Sequence, residues 1–235
     1  MAAYDQFAEI YDDTRGHEAP PLAEVVLACL GPPTRVLDIG VGTGLTVPLV
    51  EAEGHVVIGV DESAGMLGKA RARCPGARLV DADAAQLPIR SSSVDRAMAV
   101  QVFQLVPRPE PLLAEVARAL TSEGEVVVAP LYVEPSQPRD TISLAYWRAL
   151  MTAGGHGTVD HLVAAAGRSG LGSHRVVLGD PRGRTSTPNG EADRLDRLWG
   201  GSPFSQVLRA LPNPDAPIEM DMTIHAVVLT KVRRG

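Results

Sequence analysis

The segment Val36–Gly44 reads VLDIGVGTG and constrains the chain more than any other stretch. A short aliphatic run leads into glycines at alternate positions, Gly40, Gly42 and Gly44. Glycines spaced this way let the chain turn sharply and let a ligand approach the backbone closely. The helical pattern Leu45–Glu53 follows, so unpaired amide N–H groups at its start face the turn. Strand, glycine turn and helix in that order are the context a nucleotide-binding loop needs. The spacing is G-x-G-x-G, not the G-x-G-x-x-G of a dinucleotide site. Asp38 at the strand end sets the charge. A pyrophosphate wants amides and no nearby carboxylate. A carboxylate there suits an ammonium group instead.

The pattern around this turn is an alternation of strands and helices. Arg35–Ile39, Val56–Val60, Val94–Val100 and Glu125–Ala129 are short, apolar and rich in β-branched residues, with Ala77–Val80 a weaker member. They read as buried parallel strands. Leu22–Leu30, Leu45–Glu53, Ser63–Arg73 and Pro109–Leu120 carry helical spacing between them. Ser63 is placed as an N-cap, and Pro109 falls in a first turn. The expected architecture is α/β, a parallel sheet with helices on both faces. Beyond residue 130 the order loosens. Pro130–Asp140 and Gly179–Asn189 read as loops. Thr141–Ala153, Val159–Ser169, Glu191–Trp199 and Phe204–Leu211 read as helices, His174–Leu178 as a strand, and Ile218–Val232 as one long terminal strand. A length of 235 residues without a long linker predicts a single domain.

Composition narrows the partners. The formal net charge is −6, so the chain lacks the basic surplus a nucleic-acid binder needs. Cys29 and Cys74 lie far apart without metal-ligand neighbours, which predicts two buried thiols, no disulfide and no metal site. The first residues carry Asp5 and Glu9 and have no apolar signal region. No apolar run reaches the roughly 20 residues of a membrane span. A cytoplasmic protein without a membrane partner is the expectation.

Two further carboxylates complete a pattern. Asp61 ends the second strand, where nucleotide-binding sheets use an acidic residue to hold two ribose hydroxyls. Asp83, with Ala84, follows the third strand, where a carboxylate can accept from an adenine amino group. Asp38, Asp61 and Asp83 together describe a ligand with an ammonium, a ribose and an adenine.

Four ordered segments, VLDIGVGTG (36–44), VIGVDESAGML (57–67), DADAAQLPIRSSSVD (81–95) and LLAEVARALTSEGEVVVAP (112–130), resemble the class I S-adenosylmethionine-dependent methyltransferases. The segment Tyr4–Asp12 looks like the lid opening of their small-molecule branch, related to quinone-biosynthesis methyltransferases. The resemblance covers about residues 4–130. It implies a Rossmann-like, doubly wound, mostly parallel seven-stranded sheet with an antiparallel last strand. It also implies an N-terminal helical lid (1–30), a cofactor-binding core (34–130), an inserted helical cover (131–217) and a terminal strand (218–232). The implied cofactor is S-adenosyl-L-methionine and the product S-adenosyl-L-homocysteine. Gly40, Gly42, Thr43 and Gly44 would line the methionine part, with Asp38 near its amino group and Gln101 beside it. Asp61 would hold the ribose, Glu62 and Met66 would flank ribose and adenine, and Asp83 and Ala84 would contact adenine. Tyr11 and Arg15 would close from the lid.

The chain departs from its relatives after the fourth strand. Many carry a hydrophobic-His pair there; this chain has Phe103-Gln104. The motif of amino-methylating nucleic-acid enzymes and the paired-glutamate loop of arginine methyltransferases are both absent. Candidate bases are therefore His156, His161 and His17, while His55 is expected at the surface and His225 in a structural role. The aromatic residues are three Phe, four Tyr and two Trp. Between Thr34 and Val128 the only one is Phe103. The others sit in the lid and beyond residue 130, so Tyr4, Phe7, Phe103, Tyr132 and Trp147 are the candidate acceptor-pocket residues. An apolar or ring-containing small-molecule acceptor follows, on a monomer or homodimer. Two other readings remain open: a cofactor-bound protein that does not methylate, and a nicotinamide oxidoreductase.

Overall fold

The computed structural model describes residues 2–16, 19–131, 158–178, 183–199, 203–221 and 225–232. The chain enters through helices α1 (Ala2–Arg15) and α2 (Ala19–Leu30). Then β1 (Arg35–Ile39), α3 (Val47–Ala52), β2 (Val56–Asp61), α4 (Ala64–Arg73), β3 (Arg78–Asp81) and β4 (Val94–Val100) alternate as the sequence predicts. A 3-10 turn at Phe103–Leu105 leads to α5 (Glu110–Ala119) and β5 (Leu120–Leu131). Beyond these come α6 (Val159–Arg168), β6 (Leu171–Leu178), β7 (Gly183–Ser186), α7 (Pro188–Trp199), α8 (Pro203–Arg209), β8 (Ile218–Asp221) and β9 (His225–Lys231).

The main sheet has seven strands in the order β3-β2-β1-β4-β5-β9-β6. Strands β1 to β5 pair in parallel, and β9 runs antiparallel to both β5 and β6. The expected doubly wound sheet with an antiparallel last strand is therefore present. Successive strand residues point to opposite faces, so β1 feeds two cores. Leu37 and Ile39 pack with Leu113 and Val116 of α5 and Leu162 of α6. Val36 packs on the other face with Val26 and Leu30 of α2, Val50 of α3 and Leu67 of α4. Asp38 shares that second face.

Several expectations need correction. Ile218–Val232 is not one strand: β8 pairs with β7 in a separate two-stranded sheet, while β9 joins the main sheet. Its alternating pattern fits either sheet, so the break was invisible. The supposed loop Gly179–Asn189 holds β7 and the start of α7. His55 is buried at 4% exposure, because its Nδ1 accepts the Thr34 amide and ties the entry of β1 to that of β2. Cys29 and Cys74 are both buried thiols, and each donates to a backbone carbonyl, of Val25 and Gly44 respectively. The predicted helix Thr141–Ala153 lies outside the described residues.

Helix α1 docks along α4 through one polar face. Asp5, Glu9 and Asp12 recur at helical spacing, so they stack on one side. Asp5 Oδ1 accepts from the Ser63 hydroxyl and the Gly65 amide, and Lys69 pairs with Glu9. At the last step Asp12 pairs with Arg73 and accepts from the Thr43 hydroxyl, while Arg73 donates to the Thr43 carbonyl. Ser63 also caps α4 by accepting the Met66 amide. Replacing Ser63 by Ala is expected to cost about 1 kcal/mol of stability. That corresponds to a fall of about 2–4 °C in Tm, measurable by thermal melting of both proteins.

Candidate cofactor and active site

The glycine turn is held open from below. The amides of Gly40 and Val41 both donate to the Val60 carbonyl at the end of β2. Gly40, Gly42 and Gly44 all have positive φ, the left-handed region that favours glycine. A Cβ on Gly40 would stand 2.6 Å from Val102 Cγ2, and one on Gly44 2.9 Å from Cys74 Sγ. A Cβ on Gly42 would meet only a backbone oxygen at 4.0 Å. Gly42 therefore borders open space, where a ligand can lie against bare backbone.

That space is a cleft at the C-terminal ends of β1 and β4. Asp38, Gly40, Val41, Gly42, Thr43, Leu45 and Thr46 form its floor and one wall. Val100 and Gln101 come from β4, Tyr11 and Arg15 from α1, and Ala19 and Leu22 from α2. The expected Asp38, Gly40, Gly42, Thr43, Gln101, Tyr11 and Arg15 thus meet at one place. Val41, Leu45, Thr46, Val100, Ala19 and Leu22 were missed. Their side chains read as core aliphatics or helix caps, and only the turn's position exposes them to the cleft.

Asp38 is the chemical centre of the cleft. It is 1% exposed, and its Oδ2 has no hydrogen-bond partner among the described residues. Burial pushes its carboxyl well above the usual carboxylate range, and the nearby Asp61 charge adds to the rise. A buried, orphaned acceptor of this kind fits a cationic donor such as an ammonium group.

Asp61 adjoins the cleft through the turn. Its Oδ2 accepts the Gly42 amide at 2.8 Å and its Oδ1 the Ser63 amide at 2.9 Å. Burial raises its pKa, while these two amides pull it down. A carboxylate offers about four acceptor positions, so beyond its backbone donors capacity remains for a hydroxyl. Glu62, next along, flanks the same strand end. Met66 is a buried residue of the first turn of α4. Asp83 caps its own turn by accepting the Ala85 amide, and Ala84 packs against the core. Among these, none of Asp61, Glu62, Met66, Asp83 and Ala84 lines the cleft itself.

Tyr4 stands near Tyr11, Arg15 and Asp61, and its hydroxyl is pushed up to about 12, chiefly by burial. It does not line the cleft. Phe103 corrects an expectation: at 3% exposure it sits in the core with Leu112 and Val116 instead of lining the cleft. The 3-10 turn rotates it inward. His161 lies in the first turn of α6, its amide held by the Thr158 cap, and does not line the cleft. His17, His156, Tyr132, Trp147 and the Phe7 side chain lie outside the described residues. Among those described, no group of three or more His, Cys, Asp or Glu is placed to hold a metal. No helix there is long and apolar enough to cross a membrane.

The site thus combines a seven-stranded α/β sheet with a buried carboxylate under a glycine turn. Residues 37–128 match the family model described as the methyltransferase domain. It is 34% identical over 128 residues to a phosphatidylethanolamine N-methyltransferase of Cereibacter sphaeroides, covering 52% of this chain and 63% of that protein. It is 29% identical over 151 residues to a demethylmenaquinone methyltransferase of Renibacterium salmoninarum, covering 62% and 64%. The chain thus spans less than two thirds of these relatives' lengths. In structure it resembles an S-adenosylmethionine-dependent methyltransferase of Thermotoga maritima, described as a possible histamine N-methyltransferase. That likeness has a TM-score of 0.63 at 20% identity and covers 99% of each chain. The fold is that of the S-adenosylmethionine-dependent methyltransferases.

Proposed function

We propose that the chain transfers a methyl group from S-adenosyl-L-methionine to an O, N or C nucleophile of a small molecule, releasing S-adenosyl-L-homocysteine. The observation that carries this reading is Asp38, a buried carboxylate with an unpartnered oxygen at the floor of a glycine-walled cleft. The cofactor's chemistry is a methyl group made electrophilic by its sulfonium.

The chain's own contribution is binding and orientation. Asp38 accepts from the ammonium of the methionine end, Asp61 from the ribose hydroxyls, and Gln101 contacts the methionine end. Tyr11 and Arg15 cover the cleft from α1, which its contacts to α4 hold in place. The adenine falls to Asp83 and Ala84, and the acceptor to the cover beyond residue 131. An apolar or ring-bearing acceptor, in natural-product or related small-molecule chemistry, fits the aromatic content of that cover. Relatives named for a quinone precursor and for an amine-bearing lipid support a small-molecule substrate. A cytoplasmic monomer or homodimer completes the reading.

The test uses S-adenosylmethionine labelled in the methyl group, with panels of demethylated quinols, phenols and amines. Label appearing in an acceptor together with S-adenosylhomocysteine supports transfer. Tight binding with the methyl retained across every panel removes it and favours a non-methylating role.

A further inference from the structure

The crossover from β3 to β4, residues 82–93, holds no helix, although parallel strands are usually joined through one. A loop therefore roofs the N-terminal ends of β1 and β2, on the face that carries Leu37. The loop is pinned from α5. Arg118 donates to the Ile89 carbonyl at 2.7 Å, the Leu87 carbonyl at 2.9 Å and the Ser91 hydroxyl at 3.1 Å. Glu115 accepts the Leu87 amide at 2.9 Å, and the Ser93 hydroxyl donates to the Arg90 carbonyl at 2.6 Å. With its backbone held to α5 instead of to the sheet, the roof leaves a cavity of about 170 Å³ beneath it. An apolar cavity of about 150 Å³ already admits benzene. Leu37, Ile58, Ile89 and Val94 give this one apolar walls, and Arg35 and Arg90 line it as exposed residues at its mouth. Arg35 follows the alternation of β1, so its side chain shares the face of Leu37.

The charges at this edge have one sign. Arg78 is the register partner of Ile58 and adds a third guanidinium. Among the described residues, none of Arg35, Arg78 and Arg90 makes an ion pair through its guanidinium, and no carboxylate lines the cavity. The carboxylate of Asp95, next to Val94, accepts from the Thr121 hydroxyl at 3.0 Å. On a chain of net charge −6 this is a local reversal that favours an anion. An apolar chamber with charged groups at one end fixes how a ligand enters. A guanidinium fork matches the two oxygens of a carboxylate. We propose that the cavity is a second small-molecule site, for a compact aromatic or branched aliphatic carboxylic acid. The hydrocarbon lies under the roof and the carboxylate meets Arg35 and Arg90. The site is at the opposite ends of the strands from the cofactor cleft and shares no lining residue with it, so it stands apart from the cofactor reading.

The probe is benzoate, titrated at neutral pH into the full chain while its backbone amides are followed by NMR. Saturable shifts in the millimolar range are expected at Leu37, Ile58, Ile89, Arg90 and Val94. Acetate keeps the charge without the apolar body, and benzylamine keeps the body with the charge reversed. Each should bind at least about tenfold more weakly than benzoate. Arg35→Gln and Arg90→Gln should each weaken benzoate by about two- to fivefold, and the double variant by about tenfold, since exposed ion pairs are screened. Both side chains are exposed, so an unchanged amide spectrum away from the cavity shows that the variants keep the fold. Benzoate shifts centred on Gly42 and Gln101 instead of the cavity overturn the proposal. So do equal binding of benzylamine, an unweakened double variant, or shifts that never saturate. Displacement of benzoate by S-adenosylhomocysteine also overturns it, and leaves the cofactor reading intact.

Discussion

Asp61→Ala is expected to weaken S-adenosylmethionine binding by about 10²- to 10⁴-fold. Two ribose hydroxyls donating to one carboxylate supply about 1.5–3 kcal/mol each, because the acceptor is charged. Every 1.4 kcal/mol is about a factor of ten in affinity. The substitution also strips the acceptor from the Gly42 and Ser63 amides. The glycine turn then loses one of its ties to the end of β2 and keeps those of Gly40 and Val41 to the Val60 carbonyl. Asp61→Asn separates these effects. An amide keeps one acceptor but points an NH₂ at a backbone donor, so it should bind better than the alanine variant and worse than wild type. Calorimetry measures the affinities, and thermal melting checks that the fold is intact. Equal binding by all three proteins would remove the ribose assignment.

Asp38→Asn should act in two opposite directions. Without ligand it relieves a buried charge. The folded-state pKa of Asp38 is raised, so folding favours its neutral form. Its stabilising contribution is complete below the ordinary carboxylate pKa and is lost as pH rises through the raised folded value. The asparagine variant should therefore melt higher than wild type at neutral pH, with the two curves meeting in acid. Toward the cofactor the sign reverses. An ammonium beside Asp38 favours the ionised form, so binding expels a proton across that same window. Wild-type affinity should climb with pH there by up to about tenfold per unit. The variant should show a much flatter curve, and weaker binding at neutral pH. Asp61 is raised as well and acts on Asp38, so the residual slope of the variant reports Asp61. A variant with the wild-type pH slope would show that Asp38 does not face the ammonium.

The half of the molecule that holds the cofactor was legible because its signals are local. Val36–Gly44 declares strand and turn within nine consecutive positions, and helix α3 follows at Val47, two residues after its expected start. The alternation of β-branched runs with capped helices fixed the parallel sheet. Less was legible where meaning depends on register or rotation. The run 218–232 alternates as a strand throughout, yet 218–221 and 225–231 belong to different sheets. Phe103 follows a strand end at the site, and one tight turn rotates it into the core. His55 looked like a surface residue before β2, but the neighbouring strand entry needed an acceptor for the Thr34 amide. The docking of α1 on α4 rests on pairs some 60 positions apart, such as Asp12 and Arg73, which no local pattern announces.

The position of β9 between β5 and β6 governs how the fold is reached. Among the described residues, those that line the cleft all lie between Tyr11 and Gln101, on α1, α2, the ends of β1 and β4 and the turn after β1. Glu125 of β5 pairs with Thr230 of β9, and β6 meets the main sheet only through β9. Contacts of such sequence separation carry a larger loop-closure cost than local ones and slow the step that forms them. Pairing β9 into the sheet therefore carries a larger loop-closure cost than the short crossovers that build the cleft. In the folded chain β9 covers the edge of β5, and an uncovered edge of that kind would be a template for pairing with another chain.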